Sequence, residues 1–171
     1  MIMHDIGVAV DTIRLGEVSL SFDEGIISEE KVVAILINNG FPIIKSKDQQ
    51  LVENIKISVI ELIHFSGNKS SLIRNSDYLV DKTGFSYQYL SSVFSKEENI
   101  TLEKFIILHK IEKVKELLEE DEYTLSEISY QLGYSSVQYL SAQFKSITGL
   151  TVTQYKKGDL HLRIPLEEVG K

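Results

Sequence analysis

The sequence predicts a mainly α protein in which a small α+β domain precedes an all-helical domain made of two like-built helical hairpins. Three observations predict it. A tetrapeptide, Gln88-Tyr89-Leu90-Ser91, returns fifty positions later as Gln138-Tyr139-Leu140-Ser141. Three helix-opening boxes, Thr124 with Glu127, Ser135 with Gln138 and Thr151 with Gln154, follow one another closely. Near the front of the chain, apolar and polar residues alternate in part.

Taken in order, residues 8–22 suit half-buried strands, with Val18, Leu20 and Phe22 set against Glu17, Ser19 and Ser21. A short helix follows over 29–39. Ser28 is its N-cap, Glu29 and Glu30 favour its first turn, and Gly40 stands just past its end. Phe41-Pro42-Ile43-Ile44 reads as a closing edge strand, where proline is tolerated. From about Asp48 the pattern turns helical. Residues 51–65 place apolar side chains at 52, 55, 59, 62 and 63, and the stripe ends at Ser66-Gly67-Asn68.

The duplication extends well beyond the tetrapeptide. Phe94 pairs with Phe144, Asn99 with Gly149, Ile100 with Leu150, Thr101 with Thr151 and Phe105 with Tyr155. Upstream the offset becomes forty-nine, matching Gly84-Phe85-Ser86 to Gly133-Tyr134-Ser135, so the second turn holds one extra residue. Each copy reads as a helix-turn-helix. A short helix (71–83 or 125–132) ends at a glycine, an aromatic follows, and a serine caps a second helix that buries a Leu…Phe pair four apart. The plainer reading is a helical bundle with duplicated hairpins. Between the copies, the helix over 101–120 is about 30 Å long at 1.5 Å per residue. Successive major grooves on one side of a duplex lie about 34 Å apart, so a rigid connector of this length can serve both.

Composition excludes several function classes. With no cysteine there are no disulfides, thiolate metal sites or cysteine nucleophiles. His4, His64, His109 and His161 are scattered, none at metal-ligand spacing from another, and each reads as structural or exposed. No apolar run approaches the length of a bilayer span and the N-terminus has no secretion signal, so the expected location is the cytoplasm, away from membranes. Glu97-Glu98 and Glu119-Glu120 lie in helical acidic runs as solvated charge, and no phosphate loop or nucleophile elbow is present. An enzyme is not expected, nor a cofactor. Net charge is −7, but residues 1–50 carry 4 basic against 8 acidic side chains and residues 70–158 carry 10 against 12. Nucleic-acid binding must therefore rest on pattern, not on bulk charge.

Lys110-Ile111-Glu112-Lys113-Val114-Lys115-Glu116-Leu117-Leu118, Leu125-Ser126-Glu127-Ile128-Ser129-Tyr130-Gln131-Leu132-Gly133-Tyr134, Phe144-Lys145 and Thr148-Gly149-Leu150-Thr151 occur in order. In these runs the chain resembles the AraC/XylS family of bacterial transcription regulators, over about half its length. The resemblance implies seven helices, two of which read double-stranded DNA, here residues 86–98 and 135–147. Carried over by position, the groove-facing residues are Tyr87, Gln88, Ser91 and Ser92, then Ser136, Val137, Gln138, Ser141 and Ala142. Either glutamine can bridge an adenine edge at two points. Backbone amides at the helix starts, with Lys145, Lys156 and Lys157, are placed to hold phosphates. Many members have arginine where Ser92 and Ala142 stand, so the expectation is weak or narrowly conditioned DNA binding. A degenerate scaffold that binds protein is the alternative.

The front segment more loosely resembles a partial ferredoxin-like, heavy-metal-associated domain without its cysteines, and no metal binding is inferred. An incomplete sheet leaves an unpaired edge, which favours a homodimer through this domain, with a monomeric cap as the alternative. The expected organisation is a small α+β domain over 1–48, a connecting helix and linker over 49–69, the double helix-turn-helix over 70–158 and a tail over 159–171. RNA polymerase or another regulator is the expected protein partner of such a module.

Overall fold

A computed structural model describes residues 7–14, 17–41, 46–66, 74–158 and 163–170. The chain divides into two compact units, Met1–Glu53 and Asn54–Lys171, and the division falls inside one continuous helix.

In the first unit, β1 (Val8–Arg14) and β2 (Glu17–Phe22) form an antiparallel hairpin in which Val8 faces Phe22 and Val10 faces Leu20. An irregularity between Val10 and Thr12 leaves Asp11 unpaired in the ladder, and its carboxylate accepts from the Ser21 hydroxyl at 2.8 Å. Helix α1 (Glu29–Asn38) starts at Ser28 as expected. It contributes Val32 and Leu36 to a small core with Val8 and Ile27, flanked by Leu20, Phe22 and Ile35. Val18 is more exposed than the alternating pattern implied. The proposed edge strand falls mostly outside the described residues, and Phe41 at its start is exposed and not in a strand.

Helix α2 (Lys47–Ile60) runs without a break into a single π-helical turn, Glu61–Phe65. That turn packs in the second unit against α5 (Leu102–Glu120), as do α4 (Tyr87–Glu98), α6 (Leu125–Gln131) and α7 (Val137–Thr148), while α3 (Asn75–Thr83) packs on α4 and α8 (Val152–Lys157) on α7. Ten of the nineteen residues of α5 are buried, so it forms the centre of the unit. Two of its glutamates organise its charged groups. The buried Glu112 carboxylate takes the Lys115 ammonium and the backbone N–H of Ile164, while Glu116 takes Lys113 and, at 3.0 Å, Arg163. The tail segment over 163–170, for which the sequence offered no reading, is thereby held on α5. Gly170, at φ +93°, lies so close that a Cβ there would meet the Phe105 ring at 3.0 Å.

Two expected capping boxes form in full. The Thr124 hydroxyl accepts from the Glu127 amide while Glu127 reaches back to the Thr124 amide at 2.7 Å, and Thr151 with Gln154 does the same. The third is displaced. Helix α7 is capped by Ser136, which accepts from the Tyr139 amide at 3.1 Å, and the expected Ser135–Gln138 box is not made. Replacing Thr124 by alanine removes the acceptor of the otherwise orphaned Glu127 amide, and a stability loss of about 0.5–2 kcal/mol is expected in urea denaturation. An unchanged midpoint would contradict the cap.

Candidate nucleic-acid interface

The two halves of the second unit share a set of equivalent contacts. Ser86 caps α4 through the Tyr89 amide, as Ser136 caps α7 through that of Tyr139. Both helices end in a left-handed residue, Asn99 and Gly149, the two types that tolerate this conformation most readily. Leu90 and Leu140, Phe94 and Phe144 are each 0% exposed. The Phe94 ring meets Phe105 at 5.1 Å and the Phe144 ring meets Tyr155 at 5.5 Å, so even the aromatic pairs recur. Outside the core, Phe85 lies against Tyr89 at 5.2 Å and Tyr134 against Tyr139 at 6.0 Å. Each turn is thus clamped to its own second helix by one aromatic pair.

This construction determines what α4 and α7 present. Burying Leu90, Val93 and Phe94, or Leu140 and Phe144, turns the opposite face of each helix outward. Gln88 and Ser92 are exposed on α4, and Gln138 and Ala142 occupy the matching exposed positions on α7. Ser91, Ser141 and Val137 are half-buried beside them. Residues 87–95 and 137–144 carry no charged side chain, so neither exposed stretch has a negative potential of its own making.

Other sequence-derived candidates have structural tasks. Ser136 is the α7 cap. Tyr87 is half-buried and its hydroxyl donates to Glu103 at 3.0 Å, and burial together with this bond holds the phenol above its ordinary pKa. Lys156 reaches Asp121, the left-handed residue that ends α5, and its ammonium holds that carboxyl below the usual range. Lys145 and Lys157 are exposed with no ion-pair partner among the described residues.

Two groupings escaped the sequence reading because their members are distant in the chain. His64 and His109 were read as isolated, yet His64 Nε2 lies 3.3 Å from His109 Nδ1 in the core. Between the two halves, a cavity of about 610 Å³ draws residues from α3, α4, α5, the second turn and α7.

Two hairpins of this kind, seated on one shared helix, define a double helix-turn-helix domain. The family model described as "Helix-turn-helix domain" matches residues 79–158, just under half of the chain, and this part of the chain is similar to helix-turn-helix domains. The relatives agree. The chain is 30% identical over 99 residues to the xylose operon regulatory protein of Escherichia coli K12, 58% of this chain and 25% of that one. It is 26% identical over 127 residues to the Msm operon regulatory protein of Streptococcus mutans, covering 74% of this chain and 45% of the relative. The F1 operon positive regulatory protein of Yersinia pestis is 33% identical over 99 residues, covering 58% of this chain and 32% of its own. The chain therefore spans between a quarter and just under half of the length of these relatives. Among solved structures, the C-terminal domain of the two-component response regulator yesN from Fusobacterium nucleatum is 28% identical with a TM-score of 0.50, and 66% of this chain covers all of it. Among the described residues no helix is long and apolar enough to cross a membrane.

Proposed function

We propose that this chain is a cytoplasmic, sequence-specific DNA-binding transcription regulator that sets α4 and α7 into successive major grooves of a duplex. One observation carries the reading: the duplicated halves expose the same side chain, Gln88 and Gln138, at the same place on their second helices. Glutamine can bond the N6 and N7 of an adenine together, so each helix has one base-reading group flanked by small, adaptable neighbours. Lys145 and Lys157 remain available to phosphates, whereas Lys156 would have to leave Asp121 to contribute. RNA polymerase or a second regulator is the protein partner that suits such a role, and a homodimer through the first unit fits its two-stranded sheet.

The exposed Ser92 and Ala142 favour a second reading. These positions offer no guanidinium to guanine or phosphate, which suits a scaffold that has come to bind protein. Selection from random duplexes at moderate salt separates the two. The regulator reading expects an enriched motif, and Gln88→Ala and Gln138→Ala should each relax preference at one position by about 1–3 kcal/mol with nonspecific affinity nearly unchanged. No enrichment even at low salt would leave the protein-binding reading in possession.

A further inference from the structure

The cavity between the halves joins aromatic walls to an excess of positive charge. At about 610 Å³ it lies in the range of about 300–1,000 Å³ usual for small-molecule sites. Three of its walls are tyrosine rings supplied by separate segments: Tyr87 at the start of α4, Tyr134 in the second turn and Tyr139 on α7. Ile106 and Ile107 of α5 add apolar surface.

Its charged groups are mostly cations. Lys110 is half-buried, with Nζ 5.3 Å from the centre of the Tyr134 ring and no carboxylate partner among the described residues. Burial holds its amine below the ordinary lysine pKa, the mark of a cation short of a counter-charge. Arg74 lies at the rim, likewise without a carboxylate among the described residues. The Tyr134 hydroxyl donates to Gln143 Oε1 at 2.7 Å, which engages the acceptor end of this lining amide and leaves its N–H groups as donors. The single lining carboxylate, Glu103, already accepts from Tyr87 at 3.0 Å. Two cations and one engaged carboxylate leave the cavity net positive.

We propose that this cavity is a binding site for a small aromatic carboxylate. The ring stacks among Tyr87, Tyr134 and Tyr139, and the carboxylate takes Lys110 as its counter-ion with Gln143 as a second donor. A bare anion would leave the aromatic walls unused, and an uncharged ring would leave Lys110 unpaired. Because the walls come from both halves, the ligand ties them together and stabilises the folded chain by mass action.

The test is calorimetric titration of the full chain with benzoate, benzamide and inorganic phosphate in turn, with the thermal midpoint read in parallel. None of these readouts depends on DNA, so failure here and failure of the regulator reading are separate results. Benzoate should bind saturably at a dissociation constant of about 1 mM or tighter and raise the midpoint. Lys110→Met should weaken it by about tenfold or more, whereas Lys110→Arg, which restores the charge, and Lys31→Met, in the other unit, should leave it within about threefold. Circular dichroism of each variant checks that it is folded. Benzamide or phosphate binding as tightly as benzoate, an unaffected folded Lys110→Met, or no saturable benzoate binding would each overturn the proposal.

Discussion

Phe144→Ala should lower the unfolding free energy of the second unit by about 3–5 kcal/mol, the usual cost of truncating a fully buried aromatic to alanine. The ring is 0% exposed and meets Tyr155 edge-on at 5.5 Å with an interplanar angle of 80°. Its loss therefore removes both apolar burial and an aromatic pair joining α7 to α8. Phe94→Ala should cost a similar amount, because Phe94 is equally buried and contacts Phe105 at 5.1 Å. The measurement is urea denaturation followed by circular dichroism, with a lower midpoint at nearly unchanged slope. A loss below about 1 kcal/mol at either position would show that these rings do not anchor their helices.

The second large effect is acid sensitivity from the histidine pair. The His64–His109 hydrogen bond of 3.3 Å occupies one nitrogen of each ring, and the remaining two, His64 Nδ1 and His109 Nε2, are buried with no hydrogen-bond partner. Burial is the main cause that pushes both pKa values down, to about 4 for His64 and about 3 for His109. For His64, Glu116 at 4.0 Å works against the fall while Lys113 and Arg163 add to it, and for His109 a charge on His64 adds to it. In the unfolded chain both rings titrate near about 6.5. As pH falls below that value the unfolded state binds protons that the folded state refuses. Stability is thus complete above about pH 6.5 and is lost on the way down towards the folded values. By pH 5 the pair should cost about 2–4 kcal/mol. Denaturation midpoints at pH 7, 6 and 5 test this above the range in which carboxylates titrate, and a flat profile would contradict a neutral buried pair.

The features legible in the sequence were local or repeated. A threonine followed three positions later by a side chain that can reach back marks a helix start within one turn, which is why Thr124 and Thr151 were placed correctly. The duplication added long-range information. It paired Phe94 with Phe144 and Phe105 with Tyr155, and these residues make equivalent contacts. At Ser135-Ser136 two adjacent hydroxyls offered the same grammar. The competition is settled by the longer second turn, where Tyr134 packs on Tyr139 and bonds Gln143. What could not be read depends on groups that only tertiary packing joins. His64 meets His109 across 45 positions, Lys156 meets Asp121 across 35, and Lys110 shares a cavity with Arg74 and Tyr139. No periodicity or spacing rule reaches that far, and the lysine read as a phosphate ligand is therefore held by a carboxylate.

Helix α5 spans nineteen residues with no break, and α4, α6 and α7 all pack against it. Such an axle sets angular phase as well as distance. One alanine inserted midway would advance everything beyond it by about 1.5 Å and swing it by about 100°, whereas a deletion would swing it the opposite way. Evolution can thus exchange the outward-facing residues of either hairpin freely, but it can alter the length of this rod only in near-whole turns, about 3.6 residues at a time.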